Sequence, residues 1–253
     1  MIDLHSHILP GLDDGAQTIE DARDLALTAA EDGVTAIAAT PHVRADYPTT
    51  ADEMEAGVEE LRRDFTAHGI EIEVLHGGEL DLDRLSTLEP DELRRFTFAQ
   101  NGRYALVEFP YSGWPLSVDA ALWSLRGIGV VPVFAHPERN RAVQERPERL
   151  AELVQAGGAV QVTAASLDGR IGRSARATAE KLLRMGIVHV LASDAHTPEI
   201  REAGLARAAE AVGDPGLARF LTEEAPEAIV AGDPLPRPPE AARRRFGIRR
   251  RPG

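Results

Sequence analysis

The stretch Gly129-Val130-Val131-Pro132-Val133-Phe134-Ala135, followed at once by His136-Pro137-Glu138-Arg139, decides how this chain folds. Seven residues without a charged or hydrogen-bonding side chain suit a strand buried on both faces, as in parallel sheets covered by helices. The same pattern extends in both directions. Candidate strands lie at 2–5, 35–39, 71–76, 104–107, 130–134, 159–162 and 188–192. Between them, stretches at 18–32, 51–68, 117–126, 146–155, 174–185 and 198–212 are amphipathic with helical spacing. Glycines at 33, 69, 157 and 186 stand where helices end, and Thr18 with Asp21 reads as a capping-box variant. Strands alternating with helices predict an α/β fold built on a parallel sheet. A closed or nearly closed barrel is expected over an open doubly wound sheet, because no glycine-rich dinucleotide fingerprint follows the first strand.

The chain of 253 residues fits one large domain, expected over 1–235, with a Pro/Arg-rich basic tail over 236–253 expected to be flexible. It contains no cysteine. Disulfides, thiolate zinc sites and cysteine nucleophiles are therefore excluded, and with them phosphatases of the cysteine-nucleophile kind. No apolar run approaches the roughly 20 residues of a membrane span. No basic segment followed by an apolar one opens the chain, so the expected location is the cytoplasm. Residues 237–253 hold seven Arg against one Glu, a local +6 that leaves −19 on the remainder of a chain whose net charge is −13. An acidic body disfavours nucleic acid as a partner.

The polar residues gather at the strand ends. The first strand runs into His5-Ser6-His7, and residues two apart in a strand project to the same face, as a pair of ligands must. The later strands run into Thr40-Pro41-His42, Gly77-Gly78-Glu79, Glu108-Phe109-Pro110, His136-Pro137-Glu138-Arg139 and Ser193-Asp194-Ala195-His196. Each has an ordinary structural reading: an H-x-H pair on a surface strand, Glu108 paired with an Arg, His136 bonded to backbone in the core, Asp194 capping a helix. Six of seven strands nevertheless carry His, Glu or Asp at the carboxyl end, which is where parallel barrels place their active sites.

Five histidines and several carboxylates without cysteine form an N/O donor set, suited to Mn, Fe, Zn or Co. Two or three ions roughly 3.5–4 Å apart can clamp the attacking and leaving oxygens of a phosphoryl displacement, and they lower the pKa of bound water toward about 7. Metal-bound hydroxide then serves as nucleophile and no protein nucleophile is needed. Arg139 lies in the loop after His136, and Arg201 follows Asp194-x-His196; a guanidinium offers a planar fork to phosphate oxygens. A surface salt bridge is the ordinary reading of Arg201.

Together these motifs resemble the PHP (polymerase and histidinol phosphatase) superfamily, and within it the bacterial tyrosine-protein phosphatases of capsule and exopolysaccharide biosynthesis. The opening from Met1 through Asp13-Asp14-Gly15-Ala16 is similar to that subgroup nearly throughout, and the similarity spans about residues 1–235. The resemblance implies a distorted (β/α)7 barrel with three divalent ions, commonly manganese, with Fe, Zn, Co or Mg as alternatives. It implies one metal on His5, His7, Glu79 and Asp194, a second on Glu79, Glu108 and His136, and a third on Asp14, His42 and His196. Asp14 is the form of the tyrosine-phosphatase subgroup, where many superfamily members have His. Arg139 and Arg201 match its phosphate-binding positions. The implied substrate is a phosphotyrosine-bearing autokinase of polysaccharide synthesis. A small-molecule phosphomonoesterase, such as a histidinol-phosphate phosphatase, would use the same site chemistry. A non-enzymatic binding module is disfavoured because every expected ligand position is filled. In the tail, Arg243–Arg245 and Arg249–Arg251 around Phe246-Gly247-Ile248 match an anionic membrane surface or an acidic partner as well as they match a solvated tail.

Overall fold

The computed structural model describes residues 1–197 and 204–239. Arg201, the first part of the helix expected at 198–212 and the arginine-rich tail from 240 onward lie outside the described residues. The strands are β1 (Ile2–Ser6), β2 (Ala36–Ala39), β3 (His42–Val43), β4 (Glu73–His76), β5 (Glu79–Asp81), β6 (Tyr104–Glu108), β7 (Val131–Ala135), β8 (Ala159–Thr163) and β9 (Val190–Ala192). The longer helices are α1 (Ile19–Glu31), α2 (Ala51–His68), α4 (Val118–Gly127), α6 (Glu148–Gln155), α8 (Arg173–Met185) and α9 (Leu205–Val212). Shorter ones are α3 (Pro90–Arg95), α5 (Arg141–Glu145), α7 (Ala164–Leu167), α10 (Pro215–Arg219) and α11 (Ala225–Ala231).

The α/β class with parallel strands is as the alternation predicts. β1, β2 and β4 form one parallel sheet, and β3, β5, β6, β7, β8 and β9 form another in that order. The ladders are thus two sheets, not one continuous closed one. β3 follows β2 after Thr40-Pro41, and β5 follows β4 after Gly77-Gly78. These breaks were not expected. At the second, Gly78 passes so close to Phe96 that a Cβ would sit 2.6 Å from the ring, so no other residue fits without displacement. Beyond β9, Ser6 and Ala195 form a parallel bridge; Asp194 N–H donates to His5 O (2.8 Å) and His7 N–H to Ala195 O (2.9 Å). The exit of the last strand therefore meets the first.

Pro132 lies inside β7, where a central strand could not spare its missing N–H. β6 pairs along all of β7, but β8 pairs only from Val133 onward, so at Pro132 one side of the strand has no ladder to interrupt. Alternate strand residues face opposite ways. One set, including Ile37, Val74, Val107, Phe134, Val160 and Leu191, joins the large core under the helices. The other, Leu4, Ala38, Leu75, Leu106, Val133, Ala159 and Val190, forms a second core with Phe98 and Ile229.

Helix ends follow local chemistry. The box at Thr18 is present, with Asp21 N–H donating to the Thr18 hydroxyl and Thr18 N–H to the Asp21 carboxylate (2.9 Å). Gly69 and Gly186 take left-handed φ values of 66° and 68° as C-caps of α2 and α8. Helices α10 and α11, with a π-turn at Phe220–Glu224 between them, were not read from the sequence. Pro215 and Pro226 interrupt the helical period there, while Asp214 caps α10 through Gly216 N–H and Leu217 N–H. No described helix is long and apolar enough to cross a membrane.

His189, just before β9, accepts a hydrogen bond at Nδ1 from Val160 N–H (3.2 Å). Burial pushes its pKa down to about 4 from the ordinary 6.5. The folded chain then binds fewer protons at this site than the unfolded chain, so stability is full above pH 6.5 and declines as pH falls toward 4. Between pH 7 and pH 5 this one imidazole is expected to cost about 2 kcal/mol. Asparagine can keep the acceptor without titrating. Urea unfolding at both pH values should therefore show His189→Asn losing less stability on acidification than wild type; parallel losses would refute the assignment.

A candidate metal centre at the carboxyl ends of the strands

Strand order brings nine side chains to one end of the sheets. β1 supplies His5, with His7 just beyond its end. β3 supplies His42, β5 Glu79 and β6 Glu108; the turns after β7 and β9 supply His136, Asp194 and His196. Asp14 comes from the loop after β1. Nitrogen and oxygen atoms of these residues form four groups, each within 4.8 Å internally: His5, His7 and Asp194; His5, Glu79 and His136; His42, Glu79 and Glu108; and His7, Asp14, His42 and His196. All nine sequence candidates outside the arginines are in this set.

The imidazoles are aimed. His5 Nδ1 faces Gln161 Oε1 (3.2 Å), His7 Nδ1 faces Asp13 Oδ2 (2.7 Å) and His196 Nδ1 faces the Asp194 carbonyl (3.0 Å). An acceptor facing Nδ1 keeps the ring proton on that nitrogen, which donates to it, and leaves Nε2 with a lone pair, the arrangement typical of metal-bound histidine. The free Nε2 atoms then point inward together: those of His5 and His7 are 3.2 Å apart, and each lies 3.3–3.5 Å from Asp194 Oδ1 and Glu79 Oε2. His136 Nε2 meets Glu79 Oε1 at 2.8 Å. His42 Nδ1 and Glu79 Oε2 approach to 2.9 Å without hydrogen-bond geometry, and both remain buried and unpartnered. A buried imidazole nitrogen and a carboxylate oxygen that converge in this way without a hydrogen bond fit a cation between them. Asp14, with a side chain 45% exposed, closes the solvent side, 3.5 Å from His42 Nε2 and 3.4 Å from His196 Nε2.

The groups differ in part from the ligand sets implied by resemblance. Asp14, His42 and His196 fall together, joined by His7, and His5, His7, Glu79 and Asp194 converge on one point. Glu108 instead groups with His42 rather than with His136, and Arg44 Nη1 holds it at 3.2 Å. Arg44 was not anticipated; its partner is 64 residues away.

Electrostatics follow from burial among opposite charges. Burial opposes ionisation of Glu79 and Asp194, but the neighbouring histidines, His5 foremost, hold both carboxyls well below the usual range. Burial likewise opposes protonation of His5, yet Asp194 and Glu79 raise its pKa. Glu108 is pushed up by burial and by the Glu79 charge. Such a cluster needs positive charge at its centre, from protons or from a metal ion.

The supporting roles of several residues escaped the sequence reading. Asp3 accepts His5 N–H (3.3 Å) and Ser193 N–H (3.0 Å), tying the two ligand-bearing strand ends. Asp13 accepts from Gly15 N–H (2.9 Å) and His42 N–H (3.0 Å) while orienting His7, and burial notwithstanding, its pKa is lowered to about 2 by the His7 contact. Gly15 is required in this turn: a Cβ there would sit 2.1 Å from the His7 carbonyl oxygen. Gln161 of β8 also accepts His136 N–H (3.0 Å), so the one strand without a terminal His or acid contributes an amide. A lone amide in the apolar run Ala159-Val160-Gln161-Val162 was the available signal. His136 and Asp194 take left-handed φ values of 35° and 55°, uncommon for residues other than glycine. Asp194 pairs through Oδ2 with Arg139 Nη2 (2.5 Å), and Arg139 Nε remains buried without a partner.

The matching family model, described as "Capsular polysaccharide synthesis, CpsB/CapC", covers residues 1–227. The chain is 35% identical over 203 residues to tyrosine-protein phosphatase YwqE of Bacillus subtilis, covering 79% of each protein. It is 29% identical over 214 residues to tyrosine-protein phosphatase CpsB of Streptococcus agalactiae serotype V, covering 82% of this chain and 88% of that one. A solved structure, reported among those of YwqE from Bacillus subtilis and CpsB from Streptococcus pneumoniae as "unique metal-dependent tyrosine phosphatases", superposes with a TM-score of 0.83 at 31% identity, covering 94% of this chain and 98% of that one. On the strength of the family match and of these relatives, the chain belongs to the CpsB/CapC family of capsular polysaccharide synthesis.

Proposed function

We propose that this protein is a metal-dependent protein-tyrosine phosphatase whose substrate is a phosphotyrosine-bearing autokinase of polysaccharide synthesis. The observation that carries the reading is the convergence of nine nitrogen and oxygen donors, eight of them largely buried, at the strand ends of a chain from this family. His5, His7, Asp14, His42, Glu79, Glu108, His136, Asp194 and His196 would hold three divalent ions, with manganese the first choice. When bound, such ions supply Lewis acidity and a water of lowered pKa. Glu79 offers both oxygens to different histidines and so suits a bridging position. Arg139, anchored on Asp194, lines the pocket beside the centre and is proposed to hold a phosphate oxygen there, and Arg201 is proposed for the same task. We further read the strands as a distorted (β/α)7 barrel, a reading favoured by the inner core drawn from seven strands and by the Ser6–Ala195 bridge.

The small-molecule alternative fares worse on charge. Among the described residues, the pocket beside the centre is lined by Arg139, Arg170 and Arg173 against the single acid Asp194, with Arg170 also paired to Asp168. A substrate carrying an ammonium group, such as histidinol phosphate, would meet cations there. Turnover of a phosphotyrosine peptide and of histidinol phosphate, before and after chelation and with manganese restored, tests the proposal. Peptide turnover that disappears on chelation and returns with manganese is expected; full activity after chelation, or faster histidinol phosphate hydrolysis, would refute it.

A further inference from the structure

We propose that Tyr111, with Ile171 lining the same pocket, receives the phenyl ring of the substrate and sets the preference for aryl over alkyl phosphates; the inference rests on the phosphatase reading above. Tyr111 follows Glu108-Phe109-Pro110 at the mouth of the centre. Phe109 is buried edge-on to Phe134 and Trp114, anchoring the start of the loop. The loop is then pinned from α5: Asn140 Nδ2 donates to the carbonyls of Pro110 and Gly113 (2.7 Å to the latter), and Arg141 N–H donates to Tyr111 O (3.2 Å). This backbone is fixed, yet the Tyr111 side chain stays 52% exposed.

Its orientation is specific. The ring lies parallel to that of His136, with centroids 5.6 Å apart and an interplanar angle of 1°. The hydroxyl faces the Arg139 guanidinium. Ile171, 39% exposed in the segment leading to α8, lines the same pocket of about 780 Å³, whose lining also includes Arg139, Asp194 and His196. Two large apolar side chains left open beside a polar centre mark a surface meant for an apolar group. A phosphate held by Arg139 carries its ester substituent into this pocket, and a planar ring finds there an aromatic partner whose position is already fixed. An alkyl ester of the same charge gains little from it.

A purely structural role for Tyr111, steadying His136, makes a different prediction: all ligands would suffer alike. The measurement uses the full chain loaded with manganese, a phosphotyrosine peptide as substrate, and phenylphosphonate and methylphosphonate as competitive inhibitors. Tyr111→Ala is expected to raise KM for the peptide and Ki for phenylphosphonate about 3–10-fold, the loss of one aromatic pair, with kcat and the Ki of methylphosphonate changed by less than about twofold. Tyr111→Phe, which keeps the ring, should restore the wild-type ratio of the two inhibition constants. Equal weakening of both phosphonates, a fall in kcat with loss of metal, or a wild-type protein that binds phenylphosphonate no better than methylphosphonate would overturn the inference. Absence of peptide turnover by the wild type would instead overturn the phosphatase reading itself.

Discussion

Glutamine in place of Glu79 is expected to lower kcat/KM for a phosphotyrosine peptide by on the order of 10³-fold or more, through loss of a shared metal position and its charge stabilisation. The side chain is fully buried, and its two oxygens face four imidazoles: His136 at 2.8 Å, His42 at 2.9 Å, His5 at 3.4 Å and His7 at 3.5 Å. Glutamine preserves the volume but removes the charge and turns an NH₂ toward one side of that ring of donors. No neighbouring carboxylate can take over, since Asp194 is committed to His5, His7 and Arg139, and Glu108 to Arg44 and His42. Metal analysis alongside kinetics checks the cause: the variant should retain less manganese than wild type while keeping its far-ultraviolet circular dichroism. A variant with full metal content and more than half the activity would remove Glu79 from the bridging role.

Arg139→Ala should act through the phosphate rather than through the metals. Loss of a preorganised donor to the transferring group typically costs about 10²–10³-fold, and metal content should stay at the wild-type value. The residue is well placed for this effect: Nη2 is anchored on Asp194 Oδ2, and the side chain lines the pocket beside the centre. Burial alone would discourage the charge, but Asp194 and Glu138 keep the guanidinium firmly protonated. Lysine should restore little, because an ammonium cannot keep the anchor and present a second donor in one plane. Inhibition by inorganic phosphate gives a separate readout, with a raised Ki expected. Unchanged phosphate inhibition in Arg139→Ala would show that the arginine only neutralises Asp194.

Legibility of the site had a local cause. Most of the ligand candidates lie at or just beyond the end of an apolar run, Asp14 in its loop being the exception, and in a parallel α/β chain the end of the run is also the place where side chains meet. His5 and His7, His136, and Asp194 with His196 could therefore be named from neighbours in sequence alone. Asp3, Asp13, Gln161 and Arg44 could not. Their polar partners include Ser193, His42, His136 and Glu108, 190, 29, 25 and 64 residues away, and an isolated Asp or Gln carries no sign of such a partner. The short strands β3 and β5 were missed for a related reason: two or three residues hold no period, and they pair only because β6 is beside them.

The amino-acid sequence by itself determined the alternation of strand and helix and the parallel class, and it put forward the nine donor candidates, because burial and side-chain type are written residue by residue. Only the tertiary structure decided which donors share a point in space. Glu108 falls to His42 and Arg44 rather than to His136, Asp13 becomes the orienter of His7 while Asp14 faces solvent, and Tyr111 is held open over His136. Those outcomes depend on strand register, on the breaks at Thr40-Pro41 and Gly77-Gly78 and on angles fixed by packing, and each joins residues that only the folded chain brings together.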